Sequence, residues 1–481
     1  MQKSLQDLNL FGFGNIYKRR VSIGLMLVLF VLFFIKNGSA TALNNQYDPA
    51  PFHTIYGTDK FYTERDSSAI SFNLSPYYQH TASASKSGDG HKTSAGNIYG
   101  AWNMLGVFFN MPNGSVQNPA YVTAKNAITQ LQFNPADKKT NTNLAKEENF
   151  DVNGQDSVAI KSALYELVGV EYEKMGLRGQ FAFDFAFGLG VAVKGGVADY
   201  KNIPKSFYVK DATGTNEIED TRAAPVTDVM GAIENILMTA NKRDGIAQAL
   251  GLDLSAQRKV DLEDLHVSVY WHAPIKFKDN GSTAFKLIPM VSVGGWLPIS
   301  EERNQDKLFS VPTGNDGFTA VTIDGSLMLD FPEMIQVGAG GGVSISMTEE
   351  LENQRIPTSK YQVGLIPWKT NISNKPGTVW YANISFKADN FSPQFSFYFD
   401  YIFTEHLKDK ITIKETNANK KALFKPAVLE ERSSWKAQNI NAGLKYEFTK
   451  NCFMGIAVQG YINGEKTYRT TTMLGSLGLV F

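Results

Sequence analysis

The segment "FSPQFSFYFDYIF" (391–403) sets the tightest limit on what this chain can fold into. Phe395, Phe397, Phe399, Tyr401 and Phe403 share one parity; Gln394, Ser396, Tyr398, Asp400 and Ile402 share the other. Successive side chains of a strand stand on opposite faces, so this stretch has one aromatic face and one mostly polar face. "RGQFAFDFAFGLGVAVK" (178–194) alternates in the same way from Phe181 to Val193. In water, such a row of outward apolar side chains needs a second sheet to cover it. A lipid bilayer covers it without one, and a strand that crosses a bilayer needs about 9–11 residues.

The same period-2 pattern recurs along the chain. It predicts strands at 68–78, 96–109, 162–174, 177–194, 260–278, 283–297, 318–331, 335–348, 378–389, 393–408, 435–449, 451–463 and 470–481. Their spacing is as informative as their pattern. Short connections at 174–177, 279–282, 332–333, 390–393 and 449–451 alternate with longer ones at 195–259, 298–317, 349–377, 409–434 and 463–469. Short turns at one end and long loops at the other are the layout of an outer-membrane barrel. Thirteen candidates are an odd number, and such single-chain barrels are even. The prediction is therefore an all-β, transmembrane, antiparallel up-and-down barrel of about 14 strands, within 12–16, with short helices in its long loops. The missing strand falls before residue 162, at 52–64 or at 120–133. Trp296, Trp380 and Trp435 are expected at the long-loop end, in an interfacial aromatic girdle.

The chain ends "TTTMLGSLGLVF", with Met473, Gly475, Leu477, Leu479 and Phe481 on one parity. In these residues, in its strand grammar and at its N-terminus, the chain resembles Gram-negative outer-membrane β-barrel proteins of the porin type. That family ends on an aromatic residue, usually Phe, after alternating apolar positions. The resemblance implies that Met473, Leu477, Leu479 and Phe481 form a signal read by the barrel-assembly machinery. It also implies a passive channel for small hydrophilic solutes in the outer membrane, in contact with outer-membrane lipid and with no cofactor. Porins often trimerise, which leaves a homo-oligomer open. The odd strand count and the long insert 110–161 depart from the family pattern.

The N-terminal features are those of an export signal. Lys18, Arg19 and Arg20 precede the uncharged run "VSIGLMLVLFVLFFI" (21–35), and Ala40-Thr41-Ala42 has the small-x-small form of a cleavage site. Residues 1–42 are read as a cleaved signal peptide, and 43–481 as one barrel domain with long loops at 110–161 and 195–259. Lys+Arg and Asp+Glu are both 47, which argues against a nucleic-acid partner. The single cysteine, Cys452, cannot form an internal disulfide.

On the polar parity, ionisable candidates for the lumen wall are Asp184, His266, His272, Asp324, Asp330, Lys387, Asp400, Lys445 and Glu447, with Glu171 and Glu173 from 162–174. They lean acidic, which predicts weak cation preference; cross-strand pairing within the wall is the alternative role. "GAGGG" (338–342) lacks the Gly-Lys-Ser/Thr ending of a phosphate loop and sits inside a strand. Its lumen-parity glycines are expected to leave room for an inserted loop. His266 and His272 are three pleats apart, about 20 Å at the usual rise, so they cannot share a metal. No G-x-S-x-G, H-E-x-x-H or C-x-x-C occurs, and no enzyme and no metal are expected. Residues 227–251 have helical period, with Val229, Ala232, Ile233, Ile236 and Leu237 on one stripe. That helix either constricts the barrel mouth or caps neighbouring loops. The runner-up function is a plugged structural or adhesive barrel that acts through its outer loops. A soluble secreted β-sandwich is a third reading, which leaves the outward Phe residues and Phe481 unexplained.

Overall fold

The computed structural model describes residues 69–86, 90–100, 102–103, 107, 164–167, 170–185, 187–205, 207–209 and 240–481, the last apart from 280–281, 313, 333–334, 361 and 450. Twelve of its strands form a closed ring: β1 (Ala69–Thr81), β2 (Val170–Asp184), β3 (Leu189–Pro204), β4 (Gln257–His272), β5 (Ser282–Leu297), β6 (Ala320–Asp330), β7 (Ile335–Ser346), β8 (Val379–Ser392), β9 (Phe395–His406), β10 (Trp435–Thr449), β11 (Cys452–Glu465) and β12 (Thr471–Val480). Each strand pairs antiparallel with the next in sequence, and β12 closes on β1 with Val480 opposite Ser71. At that seam, Phe481 N–H donates to the Ile70 carbonyl at 2.8 Å, and the Phe481 carbonyl accepts from Ile70 N–H at 3.1 Å. Closure leaves no unpaired edge in the ring.

The outer face is apolar all the way round. Every strand contributes exposed apolar side chains, among them Phe72, Phe181, Val197, Leu262, Val293, Ile323, Val337, Ile384, Phe395, Leu444, Ile456 and Met473, in order from β1 to β12. The opposite parity carries Ser, Thr, Asn, Gln, Tyr and charged groups, and these are buried. A globular sheet protein shows the reverse, so the belt is the face that lipid covers.

Three parts of the expected layout are corrected. The hairpin placed at 174–177 lies instead at Phe185–Gly188, where Phe185 N–H bonds to Leu189 O and Gly188 has φ +82°. Residues 162–174 and 177–194 therefore resolve into β2 and β3. The odd gap of five residues between the paired Asp184 and Gly190 preserves parity, so Phe181 and Phe183 before it and Val191 and Val193 after it fall on the same outer face. The alternation runs through the turn unbroken and hides it. The described residues of 96–109 form no strand of the ring. The segment holds a 3₁₀ turn at Ala95–Asn97 and a two-residue pairing at Trp102–Asn103. The ring thus has twelve strands and no missing partner; the candidates 52–64 and 120–133, like the insert 110–161, lie outside the described residues. The expected strand 260–278 breaks at Ala273–Pro274. Pro274 has no N–H to donate to the ladder, and Ile275–Asp279 continues against β5 alone, outside the closed ring.

The loop 195–259 shortens to 205–256, because β3 runs to Pro204 and β4 starts at Gln257. The long connections pack into a cap. Strands Glu349–Arg355, Lys369–Lys375 and Lys410–Ile413 form a separate sheet. It encloses Phe318, Leu351, Ile356, Ile372, Ile411, Ile413 and Phe424. Among the described residues, no helix is long and apolar enough to cross a membrane.

Candidate functional site

The inward parity of the barrel is the candidate site. Asp184, His266, His272, Asp324, Asp330, Lys387, Asp400, Lys445 and Glu447 all lie on it. The structure does not gather them at one point. Asp184 accepts from Tyr270 Oη, Asp324 from Tyr381 Oη (2.9 Å) and Ser292 Oγ (3.0 Å), and the His266 Nε2 lies 2.9 Å from Thr322 Oγ1. Toward the short-turn end, Lys286 lies 3.6 Å from Asp330, and Gln336 donates to both Asp330 (3.2 Å) and Asp389 (3.0 Å). Lys387 lies 3.8 Å from Asp389, and Lys445 lies 2.8 Å from Glu447. The contacts of Asp184, Asp324, His266 and Asp330 tie different strands together, whereas Lys387–Asp389 and Lys445–Glu447 each lie within one strand. Among the described residues, no group of three His, Cys, Asp or Glu is placed to hold a metal.

Glu171 and Glu173 are on the outer face, because β2 is continuous and its odd parity points out. Glu171 pairs with Lys205 and, at 3.7 Å, with His80; Glu173 lies 3.9 Å from Lys201 and accepts from Tyr78 Oη at 3.3 Å. They form a charged rim above the apolar belt. The tryptophans are corrected likewise. Trp380 faces out beside Phe403, with centroids 5.1 Å apart, but Trp296 shares the inward parity and lies 4.6 Å from the His266 ring. Trp435 is also inward and buried, stacked on His406 at 5.8 Å. Sequence position gives a residue's depth along a strand; its face depends on register.

One buried inward charge cluster was not expected from sequence. Glu263 accepts from Lys174 Nζ at 2.7 Å, from Arg178 Nε at 2.7 Å and from Tyr77 Oη at 2.9 Å. The Arg178 guanidinium also lies 4.3 Å from the Tyr77 ring centroid. This cluster joins β1, β2 and β4 across β3, where Gly196 leaves the space: a Cβ there would stand 2.5 Å from Glu263 Oε2. The spacing of Lys174, Gly176 and Arg178 was a usable signal, since all three share one parity of a continuous β2. The misplaced turn concealed it. Glu263 and Asp264 are both buried because the β3–β4 ladder shifts register between Lys194 and Gly196. A bulge of this kind is not readable from alternation. With Lys174, Arg178, Lys194, Lys259 and Lys286 also facing inward, and Glu171 and Glu173 outside, the acidic lean of the interior narrows.

Large inward rings are folded flat against the wall. Tyr77 is directly opposite Gly176, Tyr270 opposite Gly190, Tyr381 opposite Gly342, Tyr398 opposite Gly443, and Phe453 opposite Gly478. In each pair the ring lies over the glycine; a Cβ at Gly443 would meet the Tyr398 ring at 2.4 Å. The space over Gly338 and Gly340 is likewise filled by Ser385 and Asn383 of the adjacent strand, and Asp324 joins Tyr381 over Gly342. Wall side chains, not an inserted loop, use the room these glycines leave.

The predicted helix is present as Ala240–Ala249; 227–239, with the stripe Val229–Leu237, lie outside the described residues. Its C-terminal end packs on other loops. Ile246, Ala247, Leu250 and Leu252 are buried, and Arg355 donates to the carbonyls of Leu250 (2.9 Å) and Gly251 (3.1 Å). Arg355 also pairs with Asp306 at 2.7 Å, and Lys369 lies 2.7 Å from the other Asp306 oxygen. Burial raises the Asp306 pKa, but Lys369 and Arg355 outweigh it and hold the carboxyl below its ordinary range.

No family model and no curated protein matches the chain. Solved structures similar to it include an outer membrane channel from Pseudomonas putida F1, at 8% identity over 86% of this chain and 96% of that one, with a TM-score of 0.44. The transport unit of the autotransporter AIDA-I from Escherichia coli is 9% identical over 91% and 95%, with a TM-score of 0.35. The toluene transporter TbuX from Ralstonia pickettii is 8% identical over 87% and 90%, with a TM-score of 0.29. At TM-scores below 0.5 these likenesses carry no inference about this chain; the closed barrel rests on its own ladders.

Proposed function

We propose that the chain is an outer-membrane channel of a Gram-negative-type bacterium, and that small hydrophilic solutes diffuse passively through its lumen. The observation that carries this reading is the division of the closed ring into an unbroken apolar outer belt and a polar inner wall. A hydrocarbon layer fits the first and an aqueous path fits the second. On this reading, residues 1–42 are removed after Ala40-Thr41-Ala42 during export. Met473, Leu477, Leu479 and Phe481 present the final strand to the barrel-assembly machinery, and outer-membrane lipid covers the belt. Asp184, His266, His272, Asp324, Asp330, Lys387, Asp400, Lys445 and Glu447 line the lumen. Cross-strand partners of Asp184, His266, Asp324 and Asp330 hold the wall, and no covalent chemistry is needed.

One observation favours the second reading, a closed barrel that acts through its loops. Inward side chains such as Gln79, Asn441 and Thr472 are each 0% exposed. Twelve strands also lie between the eight that side chains fill and the sixteen that leave an open channel. Liposome swelling separates the two. Vesicles carrying the folded protein should swell at rates that fall with sugar size if the channel reading holds. Vesicles that swell no faster than empty ones, with protein shown to be folded by heat-modifiability, would refute it.

A further inference from the structure

The loop layer holds a cavity of about 190 Å³ that the channel reading does not use. Val170 at the start of β2 and Asn202 near the end of β3 form its floor, and loop residues form its sides. Trp102 stacks on Phe309, with centroids 6.2 Å apart and planes 14° apart, and donates its indole N–H to Gly96 O at 3.0 Å. The ring also presses on Gly364, which has φ +86° and where a Cβ would meet the indole at 2.4 Å. The aromatic wall is thus fixed by its neighbours. Ile98 and Leu429 extend the apolar surface. Among the described residues, no Asp or Glu lines the cavity, whereas Arg303 and Arg432 do.

Arg432 supplies the second observation. It lies in the last turn of the helix Pro426–Ser433, and its guanidinium donates to two backbone carbonyls, Gln362 O at 2.9 Å and Lys360 O at 3.4 Å. Carbonyl dipoles solvate a cation without neutralising it. The neighbouring Glu431 pairs with Lys408 instead, at 4.0 Å. Arg258 has Asp199 at 2.8 Å, and the cap's Arg355 has Asp306; Arg432 has no such acid among the described residues. Burial pushes its guanidinium pKa down. A cation drawn away from water without a counter-ion is costly, and an anion placed beside it lowers that cost.

We propose that this cavity binds a small amphiphilic carboxylate, with its apolar body between Trp102, Phe309, Ile98 and Leu429 and its carboxylate paired with Arg432. A guanidinium has five N–H donors, so the carbonyl bonds leave donors for a ligand. An apolar cavity of about 150 Å³ accepts benzene, so the volume here suffices for one ring or a short alkyl chain with a head group. The site lies in the loop layer and does not depend on whether the barrel conducts.

The test is calorimetric titration of the full chain in phosphatidylcholine nanodiscs with 3-phenylpropionate, 3-phenylpropanol and 3-phenylpropylamine. A charge-assisted pair predicts that the carboxylate binds about tenfold or more tightly than the alcohol, with the amine weakest. Arg432→Gln should bring the carboxylate down to the level of the alcohol and leave alcohol binding unchanged, while Arg432→Lys keeps part of the preference. Leu429→Trp, which fills the cavity and leaves the guanidinium in place, should abolish binding of both. The proposal is overturned if folded wild-type protein binds carboxylate and alcohol equally, if it binds none of the probes, or if Leu429→Trp or Arg432→Gln retains the tenfold preference.

Discussion

Asp409 lies just past the end of β9 in the cap and is 3% exposed. Its Oδ1 accepts from Gly377 N–H at 2.7 Å, its backbone N–H donates to Ser433 Oγ at 2.8 Å, and its Oδ2 has no partner. Burial pushes the carboxyl from its ordinary 3.8 up to about 8. The His406 Nδ1 lies 2.8 Å from Ser433 O, which assigns the ring proton to Nδ1 and leaves Nε2 facing Asp409 at 3.4 Å as an acceptor. That geometry suits a protonated carboxyl. Below pH 3.8 both folded and opened cap carry the proton, and Asp409 imposes no penalty. Between 3.8 and about 8 the opened cap ionises and the folded cap does not, so stability falls with rising pH by about 1.4 kcal/mol per unit. At pH 7 the interval is 7 − 3.8 = 3.2 units, or about 4 kcal/mol; above about 8 the loss levels off. Asp409→Asn keeps an acceptor for Gly377 and cannot ionise. It should strengthen the cap at pH 7 by up to that amount and flatten its pH dependence between 6.5 and 8; below 6.5 the buried His406, whose pKa burial pushes down to about 4, adds a slope of opposite sign. Amide hydrogen exchange over 407–413 and 426–434, corrected for intrinsic chemical rates, reads the opening free energy directly. A wild-type cap whose protection is flat or rises between pH 6.5 and 8, or an Asn variant that opens more readily at pH 7, would refute the reasoning.

Three further outcomes are expected. Gly443→Val should collide with the Tyr398 ring and cost roughly 1–3 kcal/mol by overpacking, seen as a lower heat-modification midpoint that Tyr398→Ala in the same chain partly restores. Glu263→Ala leaves Lys174, itself 2% exposed, and Arg178 without their acid. It should lower barrel stability by about 3–5 kcal/mol in urea unfolding from vesicles, and an unchanged midpoint would show that the cluster is not needed. Deleting Phe481 should reduce the folded fraction in the outer membrane of cells while the purified chain still refolds in detergent; equal folded fractions in cells would remove the assembly-signal reading.

Most of the barrel was legible because lipid and lumen impose opposite demands on alternate residues. β9 could be read directly from Phe395, Phe397, Phe399, Tyr401 and Phe403, and β12 from Met473, Leu477, Leu479 and Phe481. The errors fell where alternation is silent. The turn at Phe185–Gly188 leaves an odd gap of five residues between the paired Asp184 and Gly190, so the aromatic row passes through it, and losing it misassigned Glu171 and Glu173 and hid Lys174 and Arg178. At Glu263–Asp264 the ladder slips by one residue, and two adjacent acids become buried. The inward rings of Trp296 and Trp435 show that an aromatic residue at the right depth need not face lipid. The cap was not foreseen because its sheet joins Glu349–Arg355, Lys369–Lys375 and Lys410–Ile413 from two separate loops. Short-range pattern does not encode such long-range pairing.

The central claim is an aqueous path through the twelve-stranded ring. Single-channel recording in a planar bilayer under a KCl gradient, with protein verified as folded by heat-modifiability, tests it most directly. Steady conductance steps are expected, with only a small cation-selective reversal potential because Lys174, Arg178, Lys194, Lys259 and Lys286 offset most of the inward acids. Folded protein that inserts and gives no steps would contradict it, and would favour a closed barrel that acts through its cap.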